Sequence, residues 1–187
     1  MEKRYLTLDI KKHLNSKIVF KSNEIGANQG LDGYGVDEKT FYSFNKTHKI
    51  ESVPFKFFRQ NSNDSIVCNG QKIGIVPDYY TRLHVIGFMY WGSNYDFITF
   101  NYLNKEQIKE KIMLYDWSGP KLSMLVNELT STDDVVTVNK RFELCGRDKG
   151  NVYMHYSPFK INVKEKTNFF ILPDNMFMHI LAMTLET

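Results

Sequence analysis

The chain has 187 residues, enough for one domain with a sizeable core. Hydrophobic residues make up 42% and charged residues 24%, and 24 basic against 21 acidic residues leave a formal net charge of +3. Lys and Glu are scattered rather than blocked, so no polybasic arm or acidic tail is present, which argues against nucleic-acid binding.

The N-terminus, Met1 to Asp9, lacks the apolar h-region of a signal peptide. No apolar run approaches the ~18 residues of a membrane span. The expected location is cytoplasmic, unless the chain is exported by another route or excised from a longer precursor. Two distant cysteines, Cys68 and Cys145, form no CxxC and read as free, buried thiols.

Along the chain the dominant period is two. Leu6, Leu8 and Ile10 alternate with Thr7 and Asp9, as a strand with one buried face does. Gly30-Leu31-Asp32-Gly33-Tyr34-Gly35 runs in the order GxxGxG, the reverse of the dinucleotide fingerprint, and reads as a flexible loop between strands. Val53-Pro54-Phe55-Lys56-Phe57 is strand-like, its proline demanding an edge or a strand start. Asn69-Gly70, between Ile66-Val67-Cys68 and Gln71-Lys72-Ile73, predicts a two-residue hairpin.

Leu83 to Met89 is apolar on both faces and so predicts a central strand, covered by a second sheet on one side and a loop or helix on the other. Ile98, Phe100 and Tyr102 alternate with Thr99 and Asn101. Ile108 and Ile112 suit a helix with Tyr115, or one strand face with Leu114. Leu122, Leu125, Val126 and Leu129 recur at helical spacing and predict a short helix after Pro120. Phe159, Ile161 and Val163 form another alternating strand, and Phe177 to Leu185 a second one apolar on both faces. No linker or repeat divides residues 1–187. The expected fold is all-β, an antiparallel β-sandwich with one or two short helices.

No GxxxxGK[ST], GxSxG or HExxH occurs, and the five histidines show no metal spacing. His84 and His179 lie inside strand patterns, where a histidine is usually a satisfied core residue. Asp64, Asp116, Asp133 and Asp134 are the acids to measure for a carboxylate pair, although a turn or cap role is the favoured reading of each.

Aromatic residues at turns are more informative. Tyr34 sits in the glycine loop, Tyr79 and Tyr80 follow Pro77-Asp78, Trp91 precedes Gly92, and Trp117 precedes Ser118-Gly119-Pro120. Loop aromatics offer flat faces to sugar C–H groups, while Arg82 and Asn94 are placed to grip hydroxyls. Tyr34, Tyr79, Tyr80, Arg82, Trp91 and Asn94 are the expected ligand-binding set. Tyr34, Tyr79 and Trp91 are expected to converge on one rim, and Trp117 to plug the core.

Several segments resemble a β-sandwich module attached to bacterial glycoside hydrolases, alpha-L-fucosidase-like proteins among them. They are Val53-Pro54-Phe55, Asp64 to Ile73, Tyr80 to Gly87, Phe97 to Tyr102, Asp116-Trp117, Ile171 to Asn175 and Met178 to Leu185. Asn104-Lys105 departs from the module's Asp-Gly turn, and no catalytic domain accompanies the likeness. The resemblance implies a jelly-roll, galactose-binding-like sandwich with a carbohydrate-related role. Related sandwiches often carry a structural calcium, for which Asp32 and Asp37 are the expected ligands; no other cofactor is expected.

The function expected is therefore noncatalytic recognition of a glycan through loop aromatics. A protein-interaction or structural sandwich, including a homo-oligomer, is the alternative. A small carbohydrate-active enzyme using Asp or Glu pairs, with His84, is the third reading.

Overall fold

The computed structural model describes residues 3–21, 24, 30–92, 94–103, 107–118, 136–138, 140–146, 150–161 and 165–187. These residues form an all-β, antiparallel sandwich. A central sheet has the order β1 (Tyr5–Thr7), β16 (Asp174–Glu186), β8 (Arg82–Met89), β14 (His155–Lys160), β11 (Val136–Thr137), and β6 (Ile66–Asn69) also pairs with β16. A second sheet orders β10 (Ile108–Leu114), β9 (Asn94–Tyr102), β15 (Thr167–Ile171) and β7 (Lys72–Asp78). A third orders β13 (Asn151–Val152), β12 (Phe142–Gly146), β3 (Tyr34–Asp37) and β2 (Val19–Phe20), beside a hairpin of β4 (Thr47–Ile50) and β5 (Val53–Lys56).

The two strands that are apolar on both faces, β8 and β16, are paired at the centre of the central sheet. In β8, Leu83, Val85 and Met89 face the second sheet, where they pack with Ile98, Phe100 and Phe170. Ile86 and Phe88 face the other way and pack with Val36, Phe55 and Phe142. The outer cover on that side is the third sheet and the β4–β5 hairpin, in place of the expected loop or helix. In β16 a bulge between Ile180 and Ala182 sends Leu181 and Ala182 to the same core. Met183 and Leu185 thereby return to the core that holds Met178 and Ile180.

Ile108 to Leu114 is a strand. Ile112 and Leu114 pack in the same core as Ile98 and Phe100, which settles the helix-or-strand alternative. Pro54 lies in a two-stranded hairpin, in which each strand has a free edge among the described residues. The one helical element among the described residues is a 3-10 turn, Lys11–His13; the helix expected over Leu122 to Leu129 lies outside them, as do Asp133 and Asp134. Cys68 and Cys145 are buried and free.

Two turn expectations change. Asn69-Gly70 closes no hairpin, because β6 belongs to the central sheet and β7 to the second. It is a corner. The segment from β15 to β16 turns with it, Lys72 pairing Ile171 and Asn69 pairing Asp174, and the Gly70 amide donates to the Pro173 carbonyl. Conversely, the glycine-rich loop is an ordered tight turn. Leu31 and Tyr34 exchange backbone hydrogen bonds around Asp32 and Gly33, whose φ values of 52° and 86° suit a primed turn.

Asp64 is a structural residue. Its Oδ1 accepts the Ile18 amide at 2.8 Å, and its Oδ2 accepts Arg59 Nη2 at 3.1 Å. Arg59 also bonds Glu38 and the Val19 carbonyl, and lies 4.0 Å above the Phe44 ring. Burial pushes the Asp64 carboxyl up to about 6, against the opposing pull of the Ile18 amide and Arg59. Asp64→Ala would strand buried donors and is expected to cost about 2 kcal/mol. Asp64→Asn, which retains an acceptor for the Ile18 amide, should cost less. Urea unfolding at pH 7 measures both.

Candidate functional site

The expected ligand-binding residues fall into two groups at opposite ends of β8. Arg82 opens that strand and Met89 closes it, so at ~3.3 Å per residue the ends lie about 23 Å apart. Tyr79, Tyr80 and Arg82 are at one end, and Trp91 and Asn94 are beyond the other. The single rim expected for Tyr34, Tyr79 and Trp91 therefore does not form. Tyr34 joins the Trp91 group alone.

At the Trp91 end the residues build a platform. Trp91 has φ 71°, a left-handed conformation rare for a bulky side chain, and 72% of its surface is exposed. Two things hold the turn: Gly92 follows with φ 93°, and the Asp116 carboxylate accepts the Gly92 amide. Asp116 also accepts the Ser118 amide at 2.8 Å. This acid clamps the turn, the role expected of a turn or cap residue.

A ladder of rings runs inward from Trp91. Tyr90 meets Trp91 edge-on at 5.7 Å and Trp117 edge-on at 5.6 Å. Trp117 stacks on Phe88 at 5.4 Å, and Phe88 on His179 at 4.9 Å. Trp117 is 7% exposed and belongs to the core. The Tyr90 hydroxyl donates to Asp32 Oδ2 at 2.9 Å. Burial first, and that carboxylate second, push the hydroxyl up to about 12; nearby Tyr34 acts in the same direction. An exposed indole, a carboxylate and Tyr34 thus share one rim; Asn94, exposed, opens β9 three residues after Trp91.

Asp32 and Asp37 do not share a ligand set. Asp32 serves the Tyr90 hydroxyl, while Asp37 is buried at the far end of β3 and accepts the Lys39 amide at 2.9 Å. Among the described residues no group of three or more His, Cys, Asp or Glu side chains is placed to hold a metal ion.

The Arg82 end has a different character. Tyr80 is 2% exposed, and its hydroxyl donates to the Val76 carbonyl, so it is a core residue and not a binding one. Tyr79 is half exposed, with the Lys166 ammonium 5.3 Å from its ring. Arg82 lines a cleft of about 380 Å³ with Lys3, Thr81, Lys160, Ile161 and Glu186.

Beneath that cleft lies a buried relay that sequence reading missed. His84 Nε2 donates to Glu186 Oε2 at 3.0 Å, and Nδ1 accepts the Tyr156 hydroxyl at 2.8 Å. The acceptor-only carboxylate assigns this tautomer. Lys3 pairs with the other Glu186 oxygen at 3.3 Å. Burial raises the Glu186 carboxyl, but the His84 and Lys3 hydrogen bonds outweigh it and hold it below its ordinary value. Burial lowers His84 despite Glu186, and burial pushes Tyr156 up to about 12. A tyrosine so held keeps its proton, so the relay is no activated nucleophile. Part of the signal was available: His84 is the one polar side chain between Leu83 and Met89.

No protein-family model matches the chain, and no curated protein matches it either. No helix among the described residues is long and apolar enough to cross a membrane.

Proposed function

We propose that the protein is a noncatalytic glycan-binding sandwich whose platform is Trp91. The observation that carries this reading is an indole held 72% exposed on a left-handed backbone, braced by an Asp116 clamp and a ladder of buried rings. A bulky residue in that conformation costs folding energy, and a rigid exposed ring gives sugar stacking a surface with little entropy to lose. Asp32 supplies a carboxylate beside it for hydroxyls, and exposed Asn94 lies three residues along the chain. The resemblance to modules attached to glycoside hydrolases supports the same class of ligand.

Trp91→Ala is the test. It is expected to weaken glycan binding by ~1–3 kcal/mol, the scale of stacking on other planar ligands, while leaving thermal stability within about 0.5 kcal/mol, as for surface changes elsewhere. A glycan array followed by calorimetry measures the first and thermal unfolding the second. Silence across plant, host and bacterial glycans would sink the reading.

A second reading has its own support. The Tyr90 amide donates to the Phe177 carbonyl, which brings exposed Phe177 and its neighbour Met176 close to Trp91. Three exposed apolar side chains around one turn also suit contact with another protein or a second copy. Sedimentation at several concentrations separates the two, since an oligomer formed there would bury Trp91.

A further inference from the structure

A second set of exposed rings follows Trp91 in the chain. β9 begins three residues later, and its outward positions carry Tyr95 and Phe97, 41% and 43% exposed, while Ile98 and Phe100 face the core. The two rings meet edge-on at 6.0 Å. Register places Lys111 opposite Phe97 and Lys109 opposite Thr99 on β10. On the other side Phe169 stands opposite Asn101 on β15, and Lys72 opposite Ile171 on β7. Directly opposed residues share a face of the sheet. The outer face of the second sheet therefore joins three aromatic rings to three lysines.

Around β9 and β10 the charge on this face is positive. None of Lys72, Lys109 and Lys111 makes an ion pair among the described residues. Two acids of the strands that carry Tyr95, Phe97, Lys109 and Lys111 point the other way: Glu110 stands opposite Ile98, and Asp96 accepts the Asn175 side-chain amide. A third acid of the sheet, Asp78, is exposed at the end of β7. Two ammonium groups already sit over rings, Lys72 3.7 Å from Phe169 and Lys111 4.1 Å from Tyr95. The Phe97 ring has no ammonium over it among the described residues. A uronate sugar suits this arrangement, because its C–H face can pack on that ring while its carboxylate meets a neighbouring ammonium.

We infer that this sheet face is a second binding surface, continuous with the Trp91 rim, and that its ligand is an acidic, uronate-containing glycan chain. This rests on the glycan-binding reading and adds the charge class of the ligand. Four strands at ~4.8 Å spacing make a face about 15 Å wide, enough for a chain rather than a single sugar.

The experiment is calorimetry on the whole chain with oligogalacturonate and with its methyl ester, which keeps the backbone and removes the charge. The acid form is expected to bind about tenfold tighter, and to lose that advantage as salt rises. K109E/K111E should abolish the preference without shifting the melting temperature, since both lysines are exposed. Phe97→Ala should weaken both forms.

Equal affinity for acid and ester, a preference surviving in K109E/K111E, or no binding of oligogalacturonate would each overturn the inference. Tighter binding of single-stranded DNA or of acidic vesicles at matched ionic strength would overturn it too. Neutral glycan binding lost in Trp91→Ala but indifferent to K109E/K111E would leave the rim standing and remove the sheet face. Oligogalacturonate binding that needs Lys109 and Lys111 but not Trp91 would do the reverse.

Discussion

Replacing Gly87 by alanine is expected to destabilise the protein by about 3 kcal/mol or more, the upper range for forcing atoms into a packed core. Gly87 sits mid-strand in β8, opposite Ile180 of β16. A Cβ there would collide with the His179 backbone carbonyl and would come within 3.0 Å of Leu114 Cδ1. The carbonyl cannot rotate away as a side chain does. Relief requires parting β8 from β16, and those two strands form the middle of both cores. Gly74→Ala is the control, for an added Cβ there meets nothing within 4 Å. It should be neutral or stabilising by about 0.5 kcal/mol, through loss of unfolded-state freedom. Urea midpoints for the pair measure the contrast, and similar costs at the two sites would refute it.

Acidification from pH 7 to pH 4 should remove about 3 kcal/mol of stability, the net of opposing shifts at 1.36 kcal/mol per pKa unit. Burial lowers both His155 and His179 to about 4 from 6.5, with the Asp116 carbonyl partly offsetting this at His155. Between those values the unfolded chain binds protons that the folded chain refuses. Their contribution is therefore fully present above pH 6.5 and is lost as pH falls toward 4, about 3 kcal/mol for each.

Asp64 runs the other way. Its folded value of about 6 lies above the ordinary 3.8, so the folded state gains about 3 kcal/mol as pH falls through that window. His84, lowered by burial, adds to the loss. Asp64→Asn removes the offset and should steepen the decline. Thermal unfolding at pH 7, 5.5 and 4 checks both curves, and a stability that stays flat would contradict the burial of these imidazoles.

Parts of this architecture were legible residue by residue. A strand's side chains alternate faces by covalent geometry, so Leu83 to Met89 and Phe177 to Leu185, apolar in both phases, had to lie between two covers. The separation of Tyr79 from Trp91 was legible too. Both flank one uninterrupted strand pattern, and a strand cannot bring its own ends together.

Other features depended on partners distant in sequence. Asn69-Gly70 has local hairpin chemistry, but β6 and β7 pair with β16 and β15, a hundred residues away, and so the turn became a corner. The bulge that aims Leu181 and Ala182 at one core follows from register against β8, which no local pattern encodes. His84 and Glu186 meet because β8 and β16 are antiparallel neighbours.

The same holds for the lysine and aromatic face, drawn from four strands spread over residues 72–171. The sequence by itself determined which side chains share a face of their own strand, because that is a property of the backbone. Which strands became neighbours, and hence which rings and charges meet, was decided by the tertiary structure, because pairing is settled by the cores the sheets bury together.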